Sequence, residues 1–180
     1  MRTAIALTAA LLLALPLTAA GQDARAALEG VAKALGAPGL KSLEYSGSGV
    51  QFQAGQSPAP GQSWPRFNAK SYSRAVNYET ASLRDEVIRM QGENPPRGGG
   101  VQPVRGEQRQ VFLLSGEHAW NLVADAPVPA PIAMIERQMQ LWTTPHGVVK
   151  AAMANNATVQ GRVIAFALPG RITVKAVLTD

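Results

Sequence analysis

Residues 108–123 read Gln-Arg-Gln-Val-Phe-Leu-Leu-Ser-Gly-Glu-His-Ala-Trp-Asn-Leu-Val. Gln108 to Leu114 and Glu117 to Val123 are two apolar-rich runs with a Ser115-Gly116 turn between them, the clearest short-range hairpin pattern in the chain. An antiparallel sheet therefore anchors the fold. On the N-terminal side, Leu83 to Gln91 carries both helical spacing (Leu83, Val87, Met90) and strand character (Val87-Ile88). Strand is favoured, because Thr80-Ala81-Ser82 would join it to the preceding run as a second hairpin. That run, Phe67 to Tyr78, reads as a long strand with Tyr72, Val76 and Tyr78 on one face. Leu43 to Gly47 and Val50 to Gln53 add an extended piece in which Gly47 and Gly49 mark a bulge.

Loops separate these runs. Gly55 to Pro65 is rich in Gly, Pro, Ser and Gln, and Gly92 to Gly106 contains Asn94-Pro95-Pro96-Arg97 and Gly98-Gly99-Gly100. Pro127, Pro129 and Pro131 lack backbone donors and are expected to end the strand region. Ile132, Ile135, Met139 and Trp142 then repeat at helical spacing, and Thr144-Pro145 opens a second helix as N-cap and first residue, ending near Asn155-Asn156. Thr158 to Ala167 and Arg171 to Leu178 are expected strands, the latter alternating Ile172, Val174, Ala176 and Leu178 with outward residues. Before the sheet, Asp23 to Leu35 forms a helix with Ala24, Ala27, Leu28, Val31 and Leu35 on one face, stopped by Gly36 and Pro38. The fold class is α+β: a curved antiparallel sheet with an N-terminal helix and a helical pair on its concave side. With Asp180 closing the chain straight after a strand, the sheet is expected to be incomplete at its C-terminal end.

Residues 1–20 have the layout of a cleaved secretory signal: Met1-Arg2, an apolar run from Ala4 to Leu17, then the small residues Ala19-Ala20. The apolar run is shorter than the ~20 residues needed to span a bilayer, and no later stretch is long and apolar enough. Residues 21–180 are expected to form a single domain, exported and most simply periplasmic. The 180-residue chain has 17 Lys+Arg, 12 Asp+Glu, 2 His and no Cys. The missing cysteines exclude disulfides, thiolate metal sites and thiol catalysis. Basic residues are scattered, so with export they do not point to nucleic acid as a partner.

Four groups of residues invite a chemical reading. Arg97, Gly98 and Gly99 could cradle an anion with freed backbone amides, but no Gly-Lys-Ser/Thr and no helix follow, and a plain loop is the default. Arg66, Lys70, Tyr72, Arg74 and Tyr78 are placed on one strand face. Such a mixture binds single strands in some sheets, though long basic stems also simply cover a sheet. His146 lies at a helix start with no Asp or Glu within a turn, which favours a structural role. Ile135, Met139 and Trp142 form the stripe that either packs on the sheet as core or lines a groove for an apolar ligand. There is no nucleophile elbow, no defensible carboxylate pair, and nothing that implies a cofactor or a metal.

Several phrases together resemble a known family: Tyr45-Ser46-Gly47-Ser48-Gly49, Trp64-Pro65-Arg66-Phe67-Asn68, the stretch from Gly92 to Gly100, Gly106-Glu107-Gln108-Arg109, Ala119-Trp120-Asn121, and Trp142-Thr143-Thr144-Pro145-His146-Gly147. From about Leu43 to Asp180 the chain resembles the N-terminal region of exported bacterial metallo-β-lactamase-fold hydrolases. The resemblance implies an open half-barrel with helices, similar to periplasmic lipoprotein carriers. The family's His-x-His-x-Asp-His zinc motif lies in a downstream domain and is absent here, so no residue inherits a zinc-ligand role. The sequence thus leads to a non-catalytic exported module that binds an apolar small molecule, a lipid or a partner. The alternative is the truncated accessory region of such a zinc hydrolase, inactive alone, whose partner would be the metallo-hydrolase domain.

Overall fold

In the computed structural model, which describes residues 17–95, 104–168 and 172–178, the Gln108–Val123 stretch is a hairpin of β4 (Gln108–Ser115) and β5 (His118–Val123). Ser115 pairs with His118, so the turn is Gly116-Glu117, one residue later than its sequence suggested. Gly116 has φ +56, and a positive φ at the first turn position is where type II′ hairpins place glycine.

The hairpin sits in a six-stranded antiparallel sheet, β1 to β6 in chain order, with β1 (Ser42–Phe52), β2 (Arg66–Asn77), β3 (Ser82–Gln91) and β6 (Ala126–Pro129). β1 and β6 are its free edges, so the sheet is open. Leu83–Gln91 is a strand, as favoured. Asn77 Oδ1 accepts from the amides of Glu79 and Thr80 in the turn before it. Three readings need correction. The register of β1 on β2 shifts between Gly47 and Gly49, where the bulge is expected, but the extra residue belongs to β2, where Lys70 is skipped between Ala69 and Ser71 in the pairing with β3. That bulge reverses the alternation: Phe67 and Ala69 share a face with Tyr72, Arg74 and Val76, and Arg66 faces the other way, so the basic–aromatic ladder is broken. Pro127 and Pro129 do not end the strand region but lie within β6, an edge strand, where a missing donor is tolerated.

A single 3₁₀ turn, Pro131–Ala133, leads into α2 (Met134–Trp142), and α3 (Pro145–Ala154) follows. Thr144 caps α3 by accepting from the Gly147 amide. A Cβ on Gly147 would stand 2.6 Å from both the Leu141 carbonyl oxygen and Thr144 Oγ1, so the close turn between the helices needs glycine.

The expected run Thr158 to Ala167 is in fact a hairpin, β7 (Thr158–Gln160) and β8 (Val163–Leu168), broken at Gly161 with φ +57. With β9 (Ile172–Val177) it forms a separate three-stranded sheet. α1 (Leu17–Ala34) begins six residues before the expected Asp23, because Leu17 to Gln22 consists mostly of good helix formers. Its end is as read: the amides of Gly36 and Ala37 reach back to the carbonyls of Lys33 and Ala32, a Schellman cap with Gly36 at φ +65. Leu28 and Ala32 are buried, whereas Leu35 is exposed.

The core is divided. Val76, Tyr78, Leu83, Leu114, Ala119 and Leu141 pack between the large sheet and α2. Leu28, Ala151, Ala152, Ile164, Phe166 and Leu168 pack α1 and α3 on the small sheet. Trp142 touches both clusters.

Candidate functional site

α2 is amphipathic in an unexpected sense. Its sheet-facing arc is Met134, Arg137 and Leu141, while Ile132 is 98 %, Ile135 47 % and Met139 38 % exposed. Ile132, Ile135 and Met139 therefore do not pack on the large sheet as core, and a charged residue takes that place. Arg137, 6 % exposed, donates from Nη1 to the carbonyls of Leu113 (3.0 Å) and Trp120 (2.8 Å) and from Nη2 to Asn121 Oδ1, with its guanidinium 5.2 Å from the Phe112 ring centre. Three of its five N–H donors are taken up in this way, none of them by a carboxylate among the described residues, and burial pulls its pKa below the usual arginine range.

Exposure falls along the stripe toward Trp142, which is half-buried. Its ring lies 6.1 Å from that of Tyr78, tilted by 39°. Tyr78 is held in place by a 2.9 Å hydrogen bond between its hydroxyl and Thr144 Oγ1, the α3 N-cap. Around this pair opens a cleft of about 350 Å³, lined by Tyr78, Glu79, Trp142, Lys150, Ala151 and Leu168 among others. That is within the roughly 300–1,000 Å³ usual for small-molecule sites. The turn after β2, the small sheet and both helices after the large sheet contribute to it. Lys150 Nζ stands 5.7 Å from the Tyr78 ring centre.

A second cleft, about 480 Å³, lies at the far flank of α2 and is polar, with Gln51, Phe67, Arg89, Glu136 and Gln140. Arg89 stacks 4.3 Å above Phe67 and donates to Gln108, and burial lowers its pKa. On the same sheet face Arg74 and Asp85 form a buried bidentate pair, with Nε 2.6 Å from Oδ1, and the Tyr72 hydroxyl donates to the same carboxylate. Burial pulls Arg74 down, but the Asp85 hydrogen bond and charge outweigh it and hold the guanidinium above its usual range. Burial and then the Asp85 charge push the Tyr72 phenol up. Arg66, Lys70 and Arg74 each face a carboxylate: Glu93, Glu107 and Asp85.

No family model matches the chain, and no curated protein or solved structure matches it. The site is read from its geometry alone. Of the residues singled out by sequence, Trp142 lines the apolar cleft, and Met139 and Ile135 continue the stripe away from it. Arg97, Gly98 and Gly99 lie outside the described residues. His146 bonds through Nε2 to the Leu35 carbonyl, tying α3 to the end of α1 (3.2 Å). Among the described residues no group of three His, Asp or Glu is placed to hold a metal, and no helix is long and apolar enough to cross a membrane. Sequence reasoning missed Tyr78 and Lys150 as cleft residues. Lys150 left a trace, as the one Lys, Arg, Asp or Glu in the helix Pro145–Ala154.

Proposed function

We propose that this chain is a non-catalytic binding module, exported to the periplasm, that takes an apolar ligand in the cleft between Tyr78 and Trp142. Support comes from Trp142, which belongs to both core clusters yet still lines an open cleft at the end of an exposed apolar stripe. An indole placed so offers a large apolar wall to a ligand at little ordering cost. Uptake of a neutral fluorescent probe tests the reading. Trp142→Ala should abolish uptake, whereas Ile135→Gln and Met139→Gln, which alter only the exposed part of the stripe, should reduce it slightly.

Ile132, Ile135 and Met139 favour a second reading, in which α2 docks against a further domain or a partner, as the accessory region of a metallo-β-lactamase-fold hydrolase would. There the two glutamine variants would abolish association while Trp142→Ala disturbed only stability.

A further inference from the structure

Lys150 bears on what kind of apolar ligand the cleft takes. The cleft has two charged side chains on its wall, Glu79 and Lys150. Glu79 is already paired, 3.0 Å from Lys41 Nζ. Among the described residues no carboxylate lies within 4.0 Å of Lys150 Nζ, and its ammonium stands beside the Tyr78 ring instead. Asn155, also on the wall, donates from Nδ2 to the Ala151 carbonyl at 2.8 Å and carries no charge. The remaining lining named here is aromatic or aliphatic: Tyr78, Trp142, Ala151, Ala154 and Leu168. An apolar pocket with one uncompensated cation at its wall matches a ligand with an apolar body and a single negative charge. A phosphate monoester, with up to two charges, would call for a second cation or an arginine fork, and among the described residues neither lines the cleft.

Resting on the apolar-ligand reading above, we infer that the ligand is an aliphatic or aryl carboxylate whose carboxyl group pairs with Lys150 while its tail lies against Trp142 and Leu168. No bond is made or broken. Lys150 is a binding residue that sets specificity for the acid over its neutral counterparts.

The test is displacement of the neutral probe N-phenyl-1-naphthylamine from the full chain by decanoate and by 1-decanol at neutral pH, in wild type, Lys150→Gln and Lys150→Arg. Decanoate should displace the probe at about ten-fold lower concentration than decanol in wild type. That preference should vanish in Lys150→Gln through weaker decanoate binding alone, and persist in Lys150→Arg. Equal displacement by acid and alcohol in wild type, or an unchanged preference in Lys150→Gln, overturns the role of Lys150 and leaves the apolar cleft standing. Failure of the probe and of both competitors to bind overturns the cleft reading itself. Thermal melts of both variants matching wild type establish that the readout is binding rather than folding.

Discussion

The rings of Tyr78 and Trp142 meet 6.1 Å apart, and through that contact the end of the second strand of the large sheet grips the end of α2. The same indole packs against the cluster that holds the small sheet, so one side chain joins two cores and walls the cleft. Trp142→Ala should therefore destabilise the fold by about 3 kcal/mol, the low end for a large aromatic because the ring is only half-buried. Trp142→Phe should recover much of this. Urea unfolding of the two variants checks it, and a loss below 1 kcal/mol would mean the two cores are joined elsewhere.

Arg137 is the least expected element of the core. Removing it leaves the Asn121 side chain without its donor and takes a second donor from the carbonyls of Leu113 and Trp120, which stay paired across the β4–β5 ladder. A buried acceptor left without a donor costs about 1–3 kcal/mol and the lost packing of the buried stem adds to it, so Arg137→Ala should lose about 2–4 kcal/mol. Chemical denaturation measures the loss, and faster amide exchange in α2 should accompany it.

Arg74 and Asp85 should behave as a pair. Arg74→Met leaves a buried carboxylate with only the Tyr72 hydroxyl and should cost about 3–5 kcal/mol. The double change Arg74→Met with Asp85→Leu should recover most of that, since two apolar groups replace two charges that must be desolvated. A double-mutant cycle gives the coupling; additive losses would show that the pair is not energetically linked.

On the opposite face Glu86 bonds Arg109 at 2.6 Å and Arg84 at 2.7 Å, and Arg109 also reaches Asp125. Hydrogen bonds from Arg109 and then Arg84 hold the Glu86 carboxyl below its usual range. A carboxyl depressed on folding stabilises the fold above its unfolded pKa, and that contribution is lost as pH falls through the folded value. Stability should thus decline in acid over that window, and Glu86→Gln should flatten this part of the decline. Parallel melts from pH 6 down to about pH 3 test the difference, the range set by the ordinary glutamate pKa.

The local parts of this fold were legible because their causes are local. Gly36 ends α1, Thr144 and Pro145 start α3, and Gly116 turns the central hairpin, each through a conformation that a few neighbouring residues specify. Gly47 and Gly49 on β1 announced the bulge, but its extra residue, Lys70, lies on β2 and is fixed by register against two neighbouring strands. The prolines of β6 misled because a missing donor ends a central strand but merely protects an edge. On α2 the apolar period was legible but not which of its residues turn inward: Trp142 packs against both cores, while three neutral acceptors on the sheet draw Arg137 inward and Ile135 and Met139 face out. In the candidate cleft only Trp142 was visible. Tyr78, Lys150 and Leu168 join it from a strand end, a helix and the second sheet, a juxtaposition made by packing between elements.

Native mass spectrometry of the chain purified from an exporting host is the decisive measurement for ligand uptake in the Tyr78–Trp142 cleft. A folded monomer carrying one small apolar adduct is expected, and the adduct should be lost in Trp142→Ala. A folded wild-type monomer that stays bare, even with excess apolar probe added, would contradict that uptake.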